Sequence, residues 1–442
     1  MNDANFYRNI HKKMPLASRS EGVHVHTDAG RKLLDFGSGI GVTSIGAGVP
    51  QVIERMARQL EQGTFVFNGY FTNEPRIELS RKLLALCPAS MGGVIFAGSG
   101  SEANEVAIKI ARQYHRETGN DSRFKVISRR QSYHGNTMGS LSVSDRASWT
   151  DHFRPYLHDF PKISAPYCYR CPLGLSYPSC QVHCAAELED AIVAAGPQTV
   201  SAFIAEPVVG TTVAGVTPPA EYYGTIRAIC DKHNVLFIAD EVITGLGRTG
   251  TNLGLDHWNV PADITTVAKG LAAGYAPLAA VILSKKIVQA IGDGSGFHTQ
   301  GFTYSGNPLS CAAGLAVLDH IASHNLIKQA AKRGQHLRRR LETLQQINVV
   351  GNVRGLGMFQ GIEFVRDRAT KAPFPAEVRL TQRIVDRAME LGLIVIGGMP
   401  GCADGTNGDQ LQISPAFVFS EEQIDEAVAL LRQAIEDVRA EL

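Results

Sequence analysis

Short continuous apolar runs alternate with amphipathic segments along the middle of the chain. Such runs are typical of strands buried on both faces, whereas apolar residues three or four positions apart are typical of helices. The alternation predicts an α/β fold, with a mostly parallel sheet covered by helices. The predicted strands are 94–96, 125–128, 202–204, 235–239, 264–267 and 277–283, and the predicted helices between them include 103–115 and 222–233.

From about Leu326 the pattern changes to long helical segments separated by short strands. This part predicts a smaller α+β domain. The first sixty or so residues are too few for a domain of their own, and we expect them to pack against it. The predicted division is a large domain of 61–325 and a small domain of 1–60 with 326–442. The predicted elements of the second part are helices 328–344, 378–391 and 421–442 and strands near 349, 361–364 and 393–396.

The composition narrows the class of protein. Of the 442 residues, 44% are hydrophobic. The chain has 43 Lys and Arg residues and 42 Asp and Glu residues, which gives a net charge of +1. This balance creates no field that would attract nucleic acid or an anionic membrane. The N-terminus shows no secretory signal, and no run of 18 apolar residues predicts a spanning helix, so we expect a cytoplasmic protein.

Three polar residues each come just after a predicted strand: Glu206, Asp240 and Lys269. In parallel sheets, residues at the carboxyl ends of strands form the ligand crevice. A lysine inside apolar sequence is costly unless its amine is used, and burial makes it a candidate Schiff-base nucleophile. The alternative is a lysine that reaches the surface. Asp240 could face a cationic ring nitrogen, cap a helix or bind a metal.

Two further motifs lie between a predicted strand and the segment that follows it. In 98–101, Gly-Ser-Gly-Ser, backbone N–H groups at a helix start could bind phosphate, although Ser can simply cap the helix. The motif is neither a dinucleotide-binding loop nor a P-loop. Tyr133 in Tyr-His-Gly could stack on a flat cofactor or serve packing alone.

An anion cradle, a stacking aromatic ring, an acid facing a ring and a buried lysine, in this order, are what pyridoxal phosphate requires. The chain resembles the class III (omega-type) pyridoxal-phosphate-dependent aminotransferases over about residues 20–435. The motifs that carry the resemblance are Gly98-Ser99-Gly100-Ser101-Glu102-Ala103, Tyr133-His134-Gly135, Glu206-Pro207-Val208, Asp240-Glu241-Val242-Ile243-Thr244-Gly245, Gly247-Arg248-Thr249-Gly250, Ala268-Lys269-Gly270 and Thr303-Tyr304-Ser305-Gly306-Asn307-Pro308.

The resemblance implies pyridoxal-phosphate fold type I, with a mostly parallel seven-stranded sheet in the large domain. It implies that Lys269 carries the aldimine and moves a proton between the substrate carbon and the cofactor. It also implies that Asp240 keeps the pyridine nitrogen protonated. The activity implied is transfer of an amino group from an amine or omega-amino acid to a 2-oxo acid.

The resemblance assigns further residues to the cofactor. They are Gly100 and Ser101 at the phosphate, Tyr133 and Val242 on the two ring faces, Glu206 near the ring edge with His134 as support, and Thr303 at the phosphate of the neighbouring subunit. The last assignment implies a homodimer with shared sites.

Two departures from the family pattern concern the substrate. Members acting on 4-aminobutyrate or ornithine carry a Glu where this chain has Thr211, and an Arg for the α-carboxylate where it has Gln412. An amide cannot make a charge-assisted bidentate bond to a carboxylate. We therefore expect pyruvate to be favoured over 2-oxoglutarate, and Arg76 and Arg354 are candidates for a substitute carboxylate ligand.

Other functions stay open at this stage. An aminomutase, racemase or decarboxylase of the same fold would use the same Lys269 and Asp240, because the cofactor supplies the carbanion chemistry. A non-catalytic binding protein on this fold would be expected to lack the lysine. A nicotinamide-dependent oxidoreductase would need a glycine-rich fingerprint that the chain does not have.

A group of cysteines falls outside these motifs. Cys168, Cys171, Cys180 and Cys184 have the spacing C-x2-C-x8-C-x3-C, which is compatible with a zinc site, with His183 as an extra candidate. Reduced thiols in a surface loop, or a labile disulfide, are the alternatives.

Overall fold

The structure, a computed structural model, describes residues 4–442. The strands of these residues are β1 Ala17–Glu21, β2 His24–Thr27, β3 Lys32–Asp35, β4 Met91–Ala97, β5 Lys125–Arg129, β6 Lys162–Ile163, β7 Val200–Ala205, β8 Leu236–Asp240, β9 Ile264–Val267, β10 Ala279–Ser284, β11 Val350–Leu356, β12 Phe359–Phe364, β13 Leu393–Ile394, β14 Ile396–Gly397 and β15 Asp409–Ile413. The helices are α1 Ser38–Gly41, α2 Pro50–Gln62, α3 Glu74–Ala85, α4 Gly100–Glu117, α5 Met138–Ser142, α6 Ala147–Thr150, α7 His183–Ala195, α8 Tyr222–His233, α9 Lys285–Asp293, α10 Pro308–Ser323, α11 Leu326–Glu342, α12 Leu380–Leu391 and α13 Glu421–Ala440.

A seven-stranded sheet forms the centre of the fold, with strand order β4-β10-β9-β8-β7-β5-β6. β10 is antiparallel to both of its neighbours, and the other pairs are parallel. Every residue of β7, β8, β9 and β10 is buried, which explains why these strands are continuous apolar runs in the sequence. The expected α/β fold with a mostly parallel sheet is therefore confirmed.

Two four-stranded sheets lie outside the central one. The first has the order β1-β2-β3-β13, and the second has the order β11-β12-β15-β14. The parallel pair of β3 and β13 aligns Leu34 with Leu393 and Asp35 with Ile394. Hydrogen bonds thus join the N-terminal segment to the C-terminal part of the chain.

Several element boundaries differ from the sequence pattern because caps and pairing, and not hydrophobicity, set them. The helix predicted from 103 begins at Gly100, since the Ser99 side chain accepts the N–H of Glu102 at 3.2 Å. The single strand predicted over 393–396 is two short strands in different sheets. Ile394 pairs with Asp35, whereas Ile396 pairs with Gln412.

None of the helices among residues 4–442 is long and apolar enough to cross a membrane.

Candidate active site

A cavity of about 330 Å³ opens at the carboxyl edge of the central sheet. Glu206, Asp240 and Lys269 follow or end β7, β8 and β9, which are adjacent strands, and all three residues line the cavity. The other predicted residues that line it are Gly100, Ser101, Tyr133, His134 and Val242. The tertiary structure therefore brings together residues that are spread over 170 positions of the sequence.

Asp240 is held in place by three hydrogen bonds. Its Oδ2 accepts from Asn104 Nδ2 at 2.8 Å and lies 2.7 Å from His134 Nδ1, and its Oδ1 accepts the Val242 N–H at 3.1 Å. The Asn104 amide is itself oriented by Thr266 Oγ1, which donates to Asn104 Oδ1 at 2.8 Å. Asn104 was missed from the sequence. The available signal was a polar residue on the buried face of α4.

Lys269 begins a short 3-10 turn just after β9, with a φ of 39°. A positive φ is strained for a residue with a β-carbon, and such residues cluster at functional sites. Burial lowers the pKa of the Lys269 amine to about 8, and the charge of Arg248 acts in the same direction, against Asp240 and Glu206. Within the described chain, the amine donates no hydrogen bond to another residue. The amine is therefore partly neutral near pH 8, which is the form that a nucleophilic lysine requires.

The loop after β4 meets the cavity where α4 begins. Ser99 caps the helix, and Gly100 and Ser101 belong to its first turn. All three residues line the cavity, so the free N–H groups and the positive end of the helix dipole lie at the cavity wall. Gly100 lies against Val242: a β-carbon at Gly100 would be 2.9 Å from Val242 Cγ1. A side chain there would displace Val242, so the position favours glycine.

Tyr133 and Glu206 are joined through the backbone. The Tyr133 N–H donates to Glu206 Oε1 at 3.2 Å, and the Gly210 N–H donates to Glu206 Oε2 at 2.7 Å. Burial raises the pKa of the Glu206 carboxyl. The carboxylate thus connects the turn that carries Tyr133 to the loop after β7, which sets the position of the Tyr133 ring at the cavity wall.

Thr303 does not line the cavity of its own chain. It is exposed, in a loop before α10. The nearby Tyr304 is 69% exposed, and Tyr70 and Phe71 are 82% and 64% exposed. Large aromatic side chains exposed together in this way are typical of a surface that contacts another chain.

The two candidate carboxylate ligands, Arg76 and Arg354, do not line the cavity. Arg354 is buried and already paired: its Nη1 lies 2.7 Å from Glu363 Oε2, and its Nε donates to the carbonyl of Ala214 at 2.8 Å. Gln412 is fully buried in β15, its Nε2 lies 3.3 Å from Ser414 Oγ, and its Oε1 has no partner within the described residues.

The four cysteines of the spaced motif line one small cavity, away from the cavity described above. All are free thiols, and burial raises the pKa of Cys184 to about 12. In the part of the chain that the structure describes, no three His, Cys, Asp or Glu side chains are arranged to hold a metal ion.

Comparison with known proteins identifies the family. The family model described as "Aminotransferase class-III" matches residues 6–435. The uncharacterized aminotransferase YodT of Bacillus subtilis (strain 168) is 40% identical over 429 residues, which cover 97% of this chain and 96% of that protein. The diaminobutyrate–2-oxoglutarate transaminase of Halomonas elongata is 37% identical over 427 residues, covering 95% and 89%.

Solved structures agree with this result. The omega transaminase from Pseudomonas jessenii in complex with PMP matches with a TM-score of 0.92 at 31% identity, covering 99% of this chain and 96% of that one. The chain belongs to the class III aminotransferase family, and it is an aminotransferase.

Class III aminotransferases use pyridoxal phosphate. The residues around the cavity fit the three parts of this cofactor. A helix N-terminus suits the phosphate, a fixed carboxylate suits the ring nitrogen, and an amine with a lowered pKa suits the aldehyde.

Proposed function

We propose that this aminotransferase moves an amino group from an amine or omega-amino acid to a 2-oxo acid, with pyridoxal phosphate bound at Lys269. The observation that supports this most directly is the cavity shared by the unpartnered amine of Lys269 and the carboxylate of Asp240. When bound, the cofactor supplies an electron sink for the negative charge left on the substrate carbon.

The residues of this chain would bind the cofactor, orient it and move the proton. Lys269 Nζ would hold the cofactor and carry the proton removed from the substrate carbon, which requires an amine that is neutral near physiological pH. Asp240, oriented by Asn104 and His134, would accept a hydrogen bond from the protonated ring nitrogen. The N–H groups of the first turn of α4 would bind the phosphate, with Gly100 and Ser101 at that turn. Tyr133 and Val242 would pack against the flat ring, and Glu206 would fix the Tyr133 turn.

A homodimer is part of this proposal. The exposed aromatic side chains near Tyr70 and Tyr304 would be buried by a second copy of the chain, and the exposed Thr303 next to them could contact that copy.

We also propose that 61–325 forms a large domain and that 1–60 with 326–442 forms a small one. The pairing of β3 with β13 supports the second assignment.

The reaction type is tested by product analysis with purified holoenzyme. A panel of amines and omega-amino acids is incubated with and without a 2-oxo acid. We expect loss of the donor amino group and formation of the corresponding amino acid only when the 2-oxo acid is present. Product formed equally well without the acceptor would indicate an aminomutase, racemase or decarboxylase instead.

The preference for pyruvate over 2-oxoglutarate follows from Gln412 and makes a specific prediction. Gln412→Arg is expected to raise kcat/KM for glutamate about tenfold, because Arg can bind a carboxylate bidentately. Because Gln412 is fully buried in β15, the new charge would have no partner when no substrate is bound. We therefore also expect the melting temperature of the variant to fall. Steady-state assays with pyruvate and 2-oxoglutarate side by side, and a thermal melt, measure both effects. Unchanged glutamate activity in a folded variant would contradict the assignment.

A further inference from the structure

The loop after β7, residues 206–216, connects the cavity to the sheet of β11, β12, β15 and β14. Its first residue, Glu206, lines the cavity, and so does Val208. Further along the loop, Thr212 and Ala214 are buried and are hydrogen-bonded to residues of that sheet. The loop therefore has one part at the cavity wall and another part on a sheet that belongs to the C-terminal part of the chain.

Gln410 of β15 binds the backbone of this loop with both ends of its amide. The side chain is fully buried, with 0% exposure. Its Oε1 accepts the Ala214 N–H at 2.9 Å, and its Nε2 donates to the Thr212 carbonyl at 2.7 Å and to the Met399 carbonyl at 3.2 Å. Removing this amide would take a hydrogen bond from a buried N–H and from a buried carbonyl of the loop, which is costly.

Arg354 fixes the orientation of the Gln410 amide. Its Nη2 donates to Gln410 Oε1 at 3.3 Å, and its Nε donates to the Ala214 carbonyl at 2.8 Å. Its Nη1 lies 2.7 Å from Glu363 Oε2, so the guanidinium is itself held in place. Because a guanidinium can only donate, Arg354 turns the accepting end of the amide toward the Ala214 N–H.

The loop lies directly on β12. A β-carbon at Gly361 would overlap the carbonyl oxygen of Ala214, so the backbones of the strand and the loop are in contact without a side chain between them. The position of the loop is therefore set by the backbone of the sheet as well as by Gln410.

Two connections lead from the loop to Tyr133. Thr212 Oγ1 donates to the Gln131 carbonyl at 2.5 Å, two residues before Tyr133. The Gly210 N–H donates to Glu206 Oε2 at 2.7 Å, and Glu206 Oε1 accepts the Tyr133 N–H at 3.2 Å. Both connections end at the turn of residues 131–135, which carries Tyr133 and His134 at the cavity wall.

We propose that Gln410 is a positioning residue of the active site. It holds the 206–216 loop and, through that loop, the Glu206 carboxylate and the 131–135 turn. The inference rests on the proposed function, in which Tyr133 packs against the cofactor ring. Gln410 and Gln412 are two positions apart in β15 but differ in their use, because both ends of the Gln410 amide are bonded within the chain. Gln412 Oε1 has no partner among residues 4–442.

Hydrogen exchange on cofactor-free protein tests the proposal without any assay of activity. Gln410→Met keeps the length of the side chain and removes its hydrogen bonds. We expect the amides of 206–216 and 131–135 to exchange at least about tenfold faster, and those of α13 to keep their rates. Unchanged exchange of the two segments in a folded variant would overturn the proposal. Equal acceleration in α13 would show a general loosening and would also overturn it.

The matched control is Gln360→Met. Gln360 is a buried glutamine of the adjacent strand β12, but its Nε2 donates to the Gly357 carbonyl at 2.9 Å, within the same hairpin. This variant should leave exchange in 206–216 and 131–135 within about twofold of the wild-type rate. An effect as large as that of Gln410→Met would overturn a specific role for Gln410.

A milder variant breaks the connection at a second place. Thr212→Val keeps the shape of the side chain and the backbone contacts with Gln410, but it cannot donate to Gln131. We expect faster exchange in 131–135 with little change in 212–216, and Thr212→Ser should restore the wild-type rate. Wild-type exchange in Thr212→Val would overturn the proposed connection between the loop and the Tyr133 turn.

Cofactor binding separates this inference from the proposed function. Equilibrium dialysis with pyridoxal phosphate should give a dissociation constant about tenfold higher for Gln410→Met, and an unchanged one for Gln360→Met. Faster exchange with unchanged cofactor affinity would show a purely structural role and would overturn the proposal. If both effects occur in a protein that binds pyridoxal phosphate but does not transaminate, the positioning role stands and the proposed function alone fails.

Discussion

Lys269→Ala is expected to reduce kcat/KM by at least about 10³-fold with every donor, because no other amine lines the cavity within the described residues. The variant should also lose its covalent hold on pyridoxal phosphate. Borohydride trapping followed by peptide mass spectrometry measures this directly, since the wild-type peptide containing Lys269 should carry the cofactor and the variant should carry none. Lys285→Ala, at an exposed position, is the matched control and should behave as wild type.

The lowered pKa of Lys269 gives the same prediction a pH dependence. The neutral amine is the nucleophile, so capture of added pyridoxal phosphate by cofactor-free protein should accelerate as pH rises through about 8 and level off above it. A lysine with the ordinary pKa of 10.5 would keep accelerating far beyond that point. Stopped-flow absorbance across pH 6 to about 10 distinguishes the two cases. A midpoint near the ordinary value would contradict the burial of this amine.

Asp240→Asn is expected to lower kcat about 10²- to 10³-fold, the usual cost of removing one electrostatic contact from a reacting group. Asparagine has nearly the shape of aspartate, but its neutral amide cannot hold a proton on the ring nitrogen of the cofactor. The effect should fall on kcat more than on KM, because the substrate itself does not contact this residue in our proposal. Steady-state kinetics with saturating cofactor measure it.

Two controls keep the Asp240 prediction specific. Asp319→Asn changes an exposed carboxylate that pairs with Lys82 and should leave kcat unchanged. The melting temperature of cofactor-free Asp240→Asn shows whether the network with Asn104 and His134 survives the substitution. Full activity in a properly folded variant would remove Asp240 from the mechanism.

Much of the fold can be predicted from the hydrophobic pattern of the sequence. β9 and α8 have the predicted limits. Every residue of β9 is buried, and α8 ends where Asn234 takes a left-handed conformation. The antiparallel direction of β10 could not be predicted, since a strand buried on both faces reads the same in either direction. The split of 393–396 between two sheets was also hidden, because pairing partners lie far away in the sequence.

The candidate site could likewise be predicted from the sequence only in part. Lys269, Asp240 and Glu206 could be predicted from the sequence because each lies at the end of a buried strand. A polar side chain there is costly to bury unless it has a function. Asn104 was missed because a polar residue on the apolar face of a helix does not show what it contacts, and its partner Asp240 is 136 positions away.

The sequence by itself determined the alternation of strands and helices and the residue types available at the strand ends, because burial and backbone chemistry act on neighbouring positions. The tertiary structure alone decided that β7, β8 and β9 are adjacent, and therefore that their terminal residues share one cavity. It also decided which charges are neutralised, because Arg354 pairs with Glu363. Pairing across space depends on the whole packed chain, which is why no local pattern could show it.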